Sequence, residues 1–218
     1  MSKIFISFEG IEGCGKSTQV KLTAKALDRL NLPCLKTEEP GGSALGKEIR
    51  RVLLNRSHLD IAAETELLLF MADRAQHIHE VILPALAENR IVLCDRFADA
   101  TIAYQGVGRG LDIEMIERLN RFACGDLKPD LTFLFDIPVE TGLGRAVARE
   151  SRLKPSERED RFESEALEFH RRVREGYLSL ARKEPNRFHV IDGTKSIEAI
   201  HEEVLSVIEE IIKKLEVK

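Results

Sequence analysis

The sequence lacks the features that mark several specialised classes of protein. It has no tryptophan and only four cysteines, none of them in a C-x-x-C pair, which argues against a zinc ribbon or a dithiol redox site. No apolar run approaches the roughly 18 residues that a membrane-spanning helix needs. Its 33 basic and 37 acidic side chains leave a net charge of −4, which excludes a nucleic-acid binder that relies on overall positive charge.

The composition that is present is typical of a globular protein. The chain has 218 residues, of which 43% are hydrophobic and 32% are charged. A chain of this length buries on the order of 70% of its unfolded surface, so it needs neither disulfides nor a structural metal to fold. We therefore expect a single domain over residues 1–218 with reduced cysteines, located in the cytoplasm, with neither a membrane nor a nucleic acid as partner.

Short apolar runs alternate along the chain with longer amphipathic stretches. The runs predict strands at 3–9, 33–38, 90–94, 131–135 and 187–191. The amphipathic stretches predict helices at 16–30, 44–54, 63–88, 112–123, 139–149, 162–183 and 196–215, with Pro84 bending or interrupting the third. Because doubly buried parallel strands are apolar along their whole length, the alternation predicts an α/β fold of three layers, with a five-stranded parallel sheet flanked by helices.

The strongest motif follows the first predicted strand. Residues 10–17, Gly-Ile-Glu-Gly-Cys-Gly-Lys-Ser, match the phosphate-binding loop pattern G-x-x-x-x-G-K-[ST] in full, and a helical pattern comes next. The glycines let backbone N–H groups face phosphate oxygens, Lys16 suits the β- and γ-phosphates, and the Ser17 hydroxyl suits Mg²⁺. The motif predicts a P-loop NTPase fold, with the site for a nucleoside triphosphate formed by Gly10, Ile11, Glu12, Gly13, Cys14, Gly15, Lys16, Ser17 and Thr18.

Two other apolar strands end in an aspartate that is suited to Mg²⁺. These residues are Asp95, after Ile-Val-Leu-Cys, and Asp136, after Leu-Thr-Phe-Leu-Phe. A strand-end carboxylate commonly serves the metal in folds with a phosphate-binding loop. We prefer Asp95, together with Ser17, as the metal site because the adjacent Arg96 is placed to hold a second anion.

The loop alone leaves three classes of protein open: a kinase, a switch GTPase or a mechanical ATPase. The guanine-reading motif N-K-x-D is absent, and a motor ATPase is usually larger. A small-molecule kinase needs a second anion site and a lid that excludes water. Arg50, Arg74 and Arg96 suit the anion site, although a surface ion pair is the simpler explanation for any one of them. The arginine-rich stretch 145–163, which we name the lid, suits the second need and is predicted to be mobile.

Six sequence blocks are similar to those of a known family. They are FEGIEG at 8–13, EPGGS at 39–43, LFMADR at 69–74, DRF at 95–97, AYQGVGRG at 103–110 and DRFE at 160–163. Through them the chain resembles the bacterial-type thymidylate kinases nearly from end to end. The resemblance implies Mg²⁺-dependent transfer of the γ-phosphoryl group of ATP to dTMP, giving dTDP and ADP. It also implies a homodimer packed through helices, for which the stretch 63–88 is a candidate face.

The resemblance further implies roles in binding dTMP. Phe70 would stack on the thymine ring, and Thr101 and Gln105, four residues apart, would hydrogen-bond its edge. Arg74 and Arg96 would clamp the phosphate, which suits the arginine fork. Other members of the set would lie near the sugar or contact the nucleotide elsewhere. The implied dTMP-binding residues are Glu12, Arg50, Phe70, Arg74, Arg96, Thr101, Tyr104 and Gln105.

The resemblance places the catalytic arginine in the lid. The variable positions of the phosphate-binding loop carry no arginine, which leaves Arg149, Arg152 and Arg158 as the alternatives. The implied catalytic set is Lys16, Glu12, Arg96, Arg149, Arg152 and Arg158. A kinase for another monophosphate or for a deoxynucleoside is the nearest alternative function, and a non-catalytic nucleotide switch is the second.

Overall fold

The computed structural model describes residues 3–55, 60–152, 159 and 161–216. Within these residues the strands are β1 (Ile4–Glu9), β2 (Cys34–Glu38), β3 (Ile91–Asp95), β4 (Leu131–Asp136) and β5 (Phe188–Asp192). They form one parallel sheet in the order β2-β3-β1-β4-β5. Each strand end lies within one residue of its predicted position, so the predicted five-stranded parallel sheet is confirmed.

Helices flank the sheet and connect its strands. They are α1 (Lys16–Arg29), α2 (Ala44–Leu54), α3 (Ala63–His77), α4 (Leu83–Ala87), α5 (Ala98–Thr101), α6 (Ile113–Cys124), α7 (Val139–Glu150), α8 (Leu167–Lys183) and α9 (Ile197–Glu216). Two π-helical segments, π1 (Ile78–Ile82) and π2 (Ile102–Gly108), continue α3 and α5. None of the described helices is long and apolar enough to cross a membrane.

The helices differ from the sequence prediction in three regions. The predicted helix 63–88 is divided into α3, π1 and α4, because Pro84 has no N–H to donate and its ring crowds the preceding turn. The helix predicted from residue 162 begins instead at Leu167, since residues 161–165 form turns that bury Phe162. The helical stretch made by α5 and π2 has no counterpart in the prediction.

The three central strands position the site. Ile6, Leu93 and Phe133, one from each of β1, β3 and β4, are fully buried, as continuous apolar strands require. The register pairs Phe8 of β1 with Asp95 of β3, so these two strands end side by side. Ligands of open α/β sheets bind in the crevice outside the carboxyl ends of the strands. The phosphate-binding loop and Asp95 both lie at this edge of the sheet.

Candidate active site

The phosphate-binding loop leaves β1 and enters α1 along a tight backbone path. Gly13 has a φ of +68°, and a Cβ added to it would lie 2.0 Å from the carbonyl oxygen of Gly142 in α7. Only glycine fits this contact, which packs the loop directly on the helix that enters the lid. At the start of α1 no side chain caps the first N–H groups, so this end of the helix can bind an anion. The Nζ of Lys16 folds back and donates to the carbonyl of Ile11 at 3.1 Å.

The two predicted metal ligands lie side by side. The hydroxyl of Ser17 donates to the carboxylate of Asp95, and both residues line the cleft described below. The alternative strand-end carboxylate, Asp136, is instead paired with both Nε and Nη2 of Arg174, at 2.6 and 2.8 Å. In the part of the chain that the structure describes, no cluster of three or more His, Cys, Asp or Glu could hold a metal by itself. Mg²⁺ usually takes one or two protein oxygens and completes its shell with water and substrate phosphate, so Ser17 and Asp95 fit it.

One cleft of about 680 Å³ brings most of the predicted site residues together. Arg152 is exposed and is not among its lining residues, and Arg158 lies outside the described residues. Ile11 and Cys14 are buried within the loop. The predicted residues that line the cleft are Glu12, Gly13, Lys16, Ser17, Arg50, Phe70, Arg74, Asp95, Arg96, Thr101, Tyr104, Gln105 and Arg149.

Arg96 is held against the phosphate-binding loop at the end of β3. Its φ of +70° lies in the left-handed region, which residues with a side chain seldom adopt. Its Nη1 donates to the carbonyl of Gly10 at 2.9 Å and to the hydroxyl of Tyr177 at 3.1 Å. Its Nη2 donates to Oε1 of Glu12 at 3.0 Å. A guanidinium fixed in this way offers a preorganised positive charge to a second phosphate beside the loop.

Glu12 is ionised although it is nearly buried. Tyr104 donates to its Oε1 at 2.5 Å, and Nδ1 of His170 lies 3.3 Å from its Oε2. Burial opposes the negative charge, but the nearby His170 and Arg96 outweigh burial and hold the pKa of Glu12 far below its usual range. An ionised carboxylate only accepts hydrogen bonds, so Glu12 suits a ligand hydroxyl group.

Arg74 forms part of the cleft wall, but most of its donors are taken by the protein. Its Nε donates to Glu39 at 2.8 Å, and its Nη2 donates to the carbonyl of Phe97 at 3.1 Å. Its Nη1 donates to Thr101 at 3.0 Å and to Asn120 at 2.8 Å. Among the described residues, these contacts leave one of the five guanidinium N–H bonds for a ligand. They also join Arg74 to Thr101, a predicted base contact.

Asp73, next to Arg74, carries a buried charge that is poorly satisfied. Its Oδ1 accepts a hydrogen bond from the N–H of Gly41 at 3.0 Å, whereas its Oδ2 has no hydrogen-bond partner among the described residues. Burial, helped by the charge of Glu39, raises the pKa of Asp73 to about 6. Because the unfolded chain ionises near pH 3.8, this carboxylate lowers stability progressively as the pH rises from about 4 to 6, and the full cost is present above that range.

We therefore expect Asp73→Asn to unfold at higher urea concentration than the wild type at pH 7.5. The expected gain in the free energy of unfolding is about 1–3 kcal/mol and shrinks towards pH 4, where the wild-type carboxyl is protonated in the folded state. Urea unfolding at both pH values measures this difference. An equal gain at pH 4 and pH 7.5 would show that the carboxylate charge is not the cause.

Aromatic side chains form an apolar wall of the cleft. Phe162, in the lid, packs edge to face on Tyr104 with ring centroids 5.4 Å apart. It also lies against Phe70, with centroids 6.4 Å apart. Phe70 is only half-buried and lines the cleft, so one face of an apolar wall is open to a planar ligand.

Two arginines of the cleft contact carboxylates of the lid. Arg50 donates from Nε and Nη2 to the carboxylate of Glu159, at 2.8 and 2.6 Å. Arg149 lies 3.3 Å from Glu163 and 2.9 Å from Glu150. Burial, with the charge of Glu12 nearby, raises the pKa of Glu163 to about 7. Of the three lid arginines predicted for catalysis, Arg149 is the one that the described structure places on the cleft wall.

Sequence reasoning missed several buried polar residues around the site. Glu39 binds both Arg74 and Nδ1 of His77, the latter at 2.9 Å, and Glu66 lies fully buried behind the cleft. Glu66 lies on a predicted helix, where acidic side chains are usually solvated, and Glu39 lies in the EPGGS block with no pattern that marks it as buried. One signal was present, since Glu66, Phe70 and Arg74 are spaced by four and share one face of α3.

Comparisons with known proteins find relatives of similar sequence and a solved structure of similar fold. A family model described as thymidylate kinase matches residues 8–204. The thymidylate kinase of Syntrophus aciditrophicus (strain SB) is 58% identical over 200 residues, covering 92% of this chain and 91% of the relative. That of Geobacter sulfurreducens is 54% identical, covering 89% and 91%. The crystal structure of thymidylate kinase from Ehrlichia chaffeensis matches with a TM-score of 0.75 and 36% identity, covering 96% of this chain and all of that one.

Proposed function

The chain belongs to the thymidylate kinase family and transfers the γ-phosphoryl group of ATP to dTMP, giving dTDP for dTTP synthesis, and we propose that both nucleotides bind in the cleft described above. The observation that supports this placement is that Lys16 of the phosphate-binding loop and Arg96 line the same cleft. Two cationic groups in one cleft suit the two phosphate-bearing substrates of a kinase.

The ATP phosphates would lie on the loop, residues 10–18. Backbone N–H groups at the start of α1 and the ammonium group of Lys16 would face the β- and γ-phosphate oxygens. Ser17 and Asp95 would hold Mg²⁺. When bound, the ion neutralises negative charge on the β- and γ-phosphates.

The dTMP molecule would lie between Arg96 and the aromatic wall. Its phosphate would bind to Arg96, with Arg50 as a further contact once a phosphate replaces the lid carboxylate of Glu159. Its sugar would lie near Glu12 and Tyr104, which are hydrogen-bonded to each other. An ionised Glu12 suits a sugar hydroxyl because it accepts hydrogen bonds.

The thymine ring would stack on Phe70, and its edge would face Thr101 and Gln105. Arg74 holds the hydroxyl of Thr101 at 3.0 Å, so we assign it to the base side of the cleft. This assignment differs from the role in phosphate binding that the family resemblance implies for Arg74, since only one of its N–H bonds is free of partners among the described residues.

Transfer would depend on position and charge, without a covalent intermediate on the protein. An oxygen of the dTMP phosphate forms a bond to the γ-phosphorus of ATP while the bond to the β–γ bridging oxygen breaks, and ADP leaves. No strong general base is required, because the acceptor phosphate is already anionic near neutral pH. Lys16, Arg96 and, from the lid, Arg149 would stabilise the charge that spreads over the transferred group.

A comparison of acceptors tests this function. ATP consumption is measured with dTMP, dUMP, dGMP and thymidine under the same conditions, with a reaction lacking any acceptor as the baseline. We expect the highest kcat/KM with dTMP. Faster turnover of any other acceptor would overturn the placement of thymine in this cleft, and hydrolysis without an acceptor would indicate a different use of ATP.

A homodimer is proposed from the exposed apolar side chains on α3 and α6. These helices pack against each other through Leu67, Met71 and Ile116. Their outer faces carry Phe122, which is 90% exposed, and Leu68, which is 57% exposed. Large exposed apolar side chains on adjacent helices favour association with a second copy.

Sedimentation velocity at micromolar concentration measures the oligomeric state. We expect a dimer for the wild type and a shift towards monomer for Phe122→Asp, because a charge in the centre of an apolar interface is costly. A wild type that sediments only as monomer would refute the dimer.

The chemistry of the chain also favours the cytoplasm, since its four cysteines are free thiols and its substrates are ATP and dTMP.

A further inference from the structure

The side chain of Glu66 lies behind the base side of the cleft and does not line it. It is fully buried in α3. Its Oε1 accepts from Nε2 of Gln105 at 2.7 Å and from Nε of Arg109 at 3.2 Å. Its Oε2 accepts from Arg109 at 3.2 Å and from Arg161 of the lid. Two guanidinium groups therefore hold this carboxylate in place.

The charge state of Glu66 determines which end of the Gln105 amide faces it. Burial alone would raise the pKa of Glu66, but the hydrogen bonds from Arg109 and Gln105 outweigh burial and keep the pKa below its usual value. An ionised carboxylate has no proton to donate, so the group that faces it must be the NH₂ of Gln105. The carbonyl oxygen of the amide then points away from Glu66, and Gln105 itself lines the cleft.

A fixed amide presents one pattern of hydrogen bonds to a base. Its carbonyl accepts, and the second N–H of its NH₂ group donates. This pattern complements thymine and uracil, which offer an N3–H donor beside a carbonyl acceptor. It opposes cytosine, which offers a bare N3 acceptor beside an amino donor. If the amide were free to turn over, its pattern would suit cytosine equally well.

We propose that Glu66 is a positioning residue that sets base selectivity by fixing the orientation of the Gln105 amide. This inference rests on the proposed placement of the thymine edge against Gln105. Glu66 does not contact the substrate itself. It acts through the hydrogen bond that Nε2 of Gln105 donates to its Oε1 at 2.7 Å. Arg109 and Arg161 keep the carboxylate ionised and stationary while the amide is in use.

The test compares kcat/KM for dTMP, dCMP and dUMP in the wild type and in Glu66→Gln. A neutral amide at position 66 can donate as well as accept, so it no longer selects one orientation of Gln105. We expect the ratio of dTMP to dCMP to fall at least about tenfold, the discrimination that a bidentate pair provides. The ratio of dTMP to dUMP should stay within about twofold, because thymine and uracil share the same hydrogen-bonding edge.

Glu64→Gln is the matched control, since Glu64 is exposed on the same helix and should leave all three ratios unchanged. KM for ATP should not change in either variant. If Glu66→Gln fails to fold because a buried cation is left unpaired, the double variant Glu66→Gln/Arg161→Met removes that cation and is read in the same assay. Unchanged ratios, or ratios to dCMP and dUMP that fall together, would overturn the proposal. A wild type that does not prefer dTMP to dCMP would instead contradict the placement of dTMP in this cleft.

Discussion

Replacing Lys16 with methionine is expected to lower kcat by about 10³-fold while KM for dTMP changes by no more than a few-fold. The ammonium group lies at the phosphate-binding loop, bound to the carbonyl of Ile11 at 3.1 Å and only 7% exposed as a residue. Methionine has a similar length but carries no charge. The loss therefore falls on stabilisation of the transferred phosphoryl group, and dTMP binding on the far side of the cleft is spared.

Lys25→Met is the control for this prediction. Lys25 is exposed on the same helix, α1, and does not line the cleft, so its loss should leave kcat within about twofold. Initial rates at saturating ATP and varied dTMP separate kcat from KM. A Lys16→Met enzyme with nearly wild-type kcat would show that the loop binds nucleotide without serving the transfer step.

Replacing Arg96 with methionine is expected to lower kcat/KM for dTMP by about 10²–10³-fold. Its guanidinium is fixed by the carbonyl of Gly10, the hydroxyl of Tyr177 and the carboxylate of Glu12. A phosphate that binds there meets a charge whose position is already set, so little ordering remains to be done on binding. The variant also leaves Glu12 with one fewer cationic neighbour, which adds to the loss.

Arg96→Lys distinguishes the role of charge from that of the fork. Lysine keeps the positive charge but not the paired N–H groups, so we expect an intermediate kcat/KM. Arg182→Met, at an exposed ion pair with Glu175, should have no effect on kcat/KM. Thermal melting and binding of a fluorescent ATP analogue check that each variant is folded with its loop intact. An Arg96→Met enzyme that loses less than threefold in kcat/KM for dTMP would place the acceptor phosphate elsewhere.

Features that depend on local sequence were predictable. The ends of β3 are predicted within one residue, because residues 91–94 are apolar without a break and are bounded by the charged Arg90 and Asp95. The loop at 10–17 was found because its residue types are dictated by phosphate chemistry. The sequence favours Asp95 over Asp136 as the metal carboxylate because Arg96 follows it. In the structure Asp95 lies beside Ser17, whereas Asp136 is paired with Arg174.

Features that depend on long-range packing were not predictable. Arg74 reads in the sequence as a free arginine beside a phosphate site, yet Glu39, Thr101 and Asn120 surround it in the fold. Those partners come from three distant segments, and no spacing rule brings them together. The same applies to Glu66, whose partner Gln105 is 39 positions away in the sequence. The turn that buries Phe162 against the cleft was not predicted either, because the residues from 162 onwards have a helical pattern in the sequence.

A crystal structure with dTMP and a non-hydrolysable ATP analogue tests the central claim most directly. The claim is that Arg96 and the phosphate-binding loop bring the two reacting phosphates together in one cleft. We predict the dTMP phosphate within hydrogen-bonding distance of Arg96, the γ-phosphate beside Lys16, and the thymine ring on Phe70 with N3 facing Gln105. A dTMP phosphate bound away from Arg96, or a thymine ring that does not reach Phe70, would contradict the account.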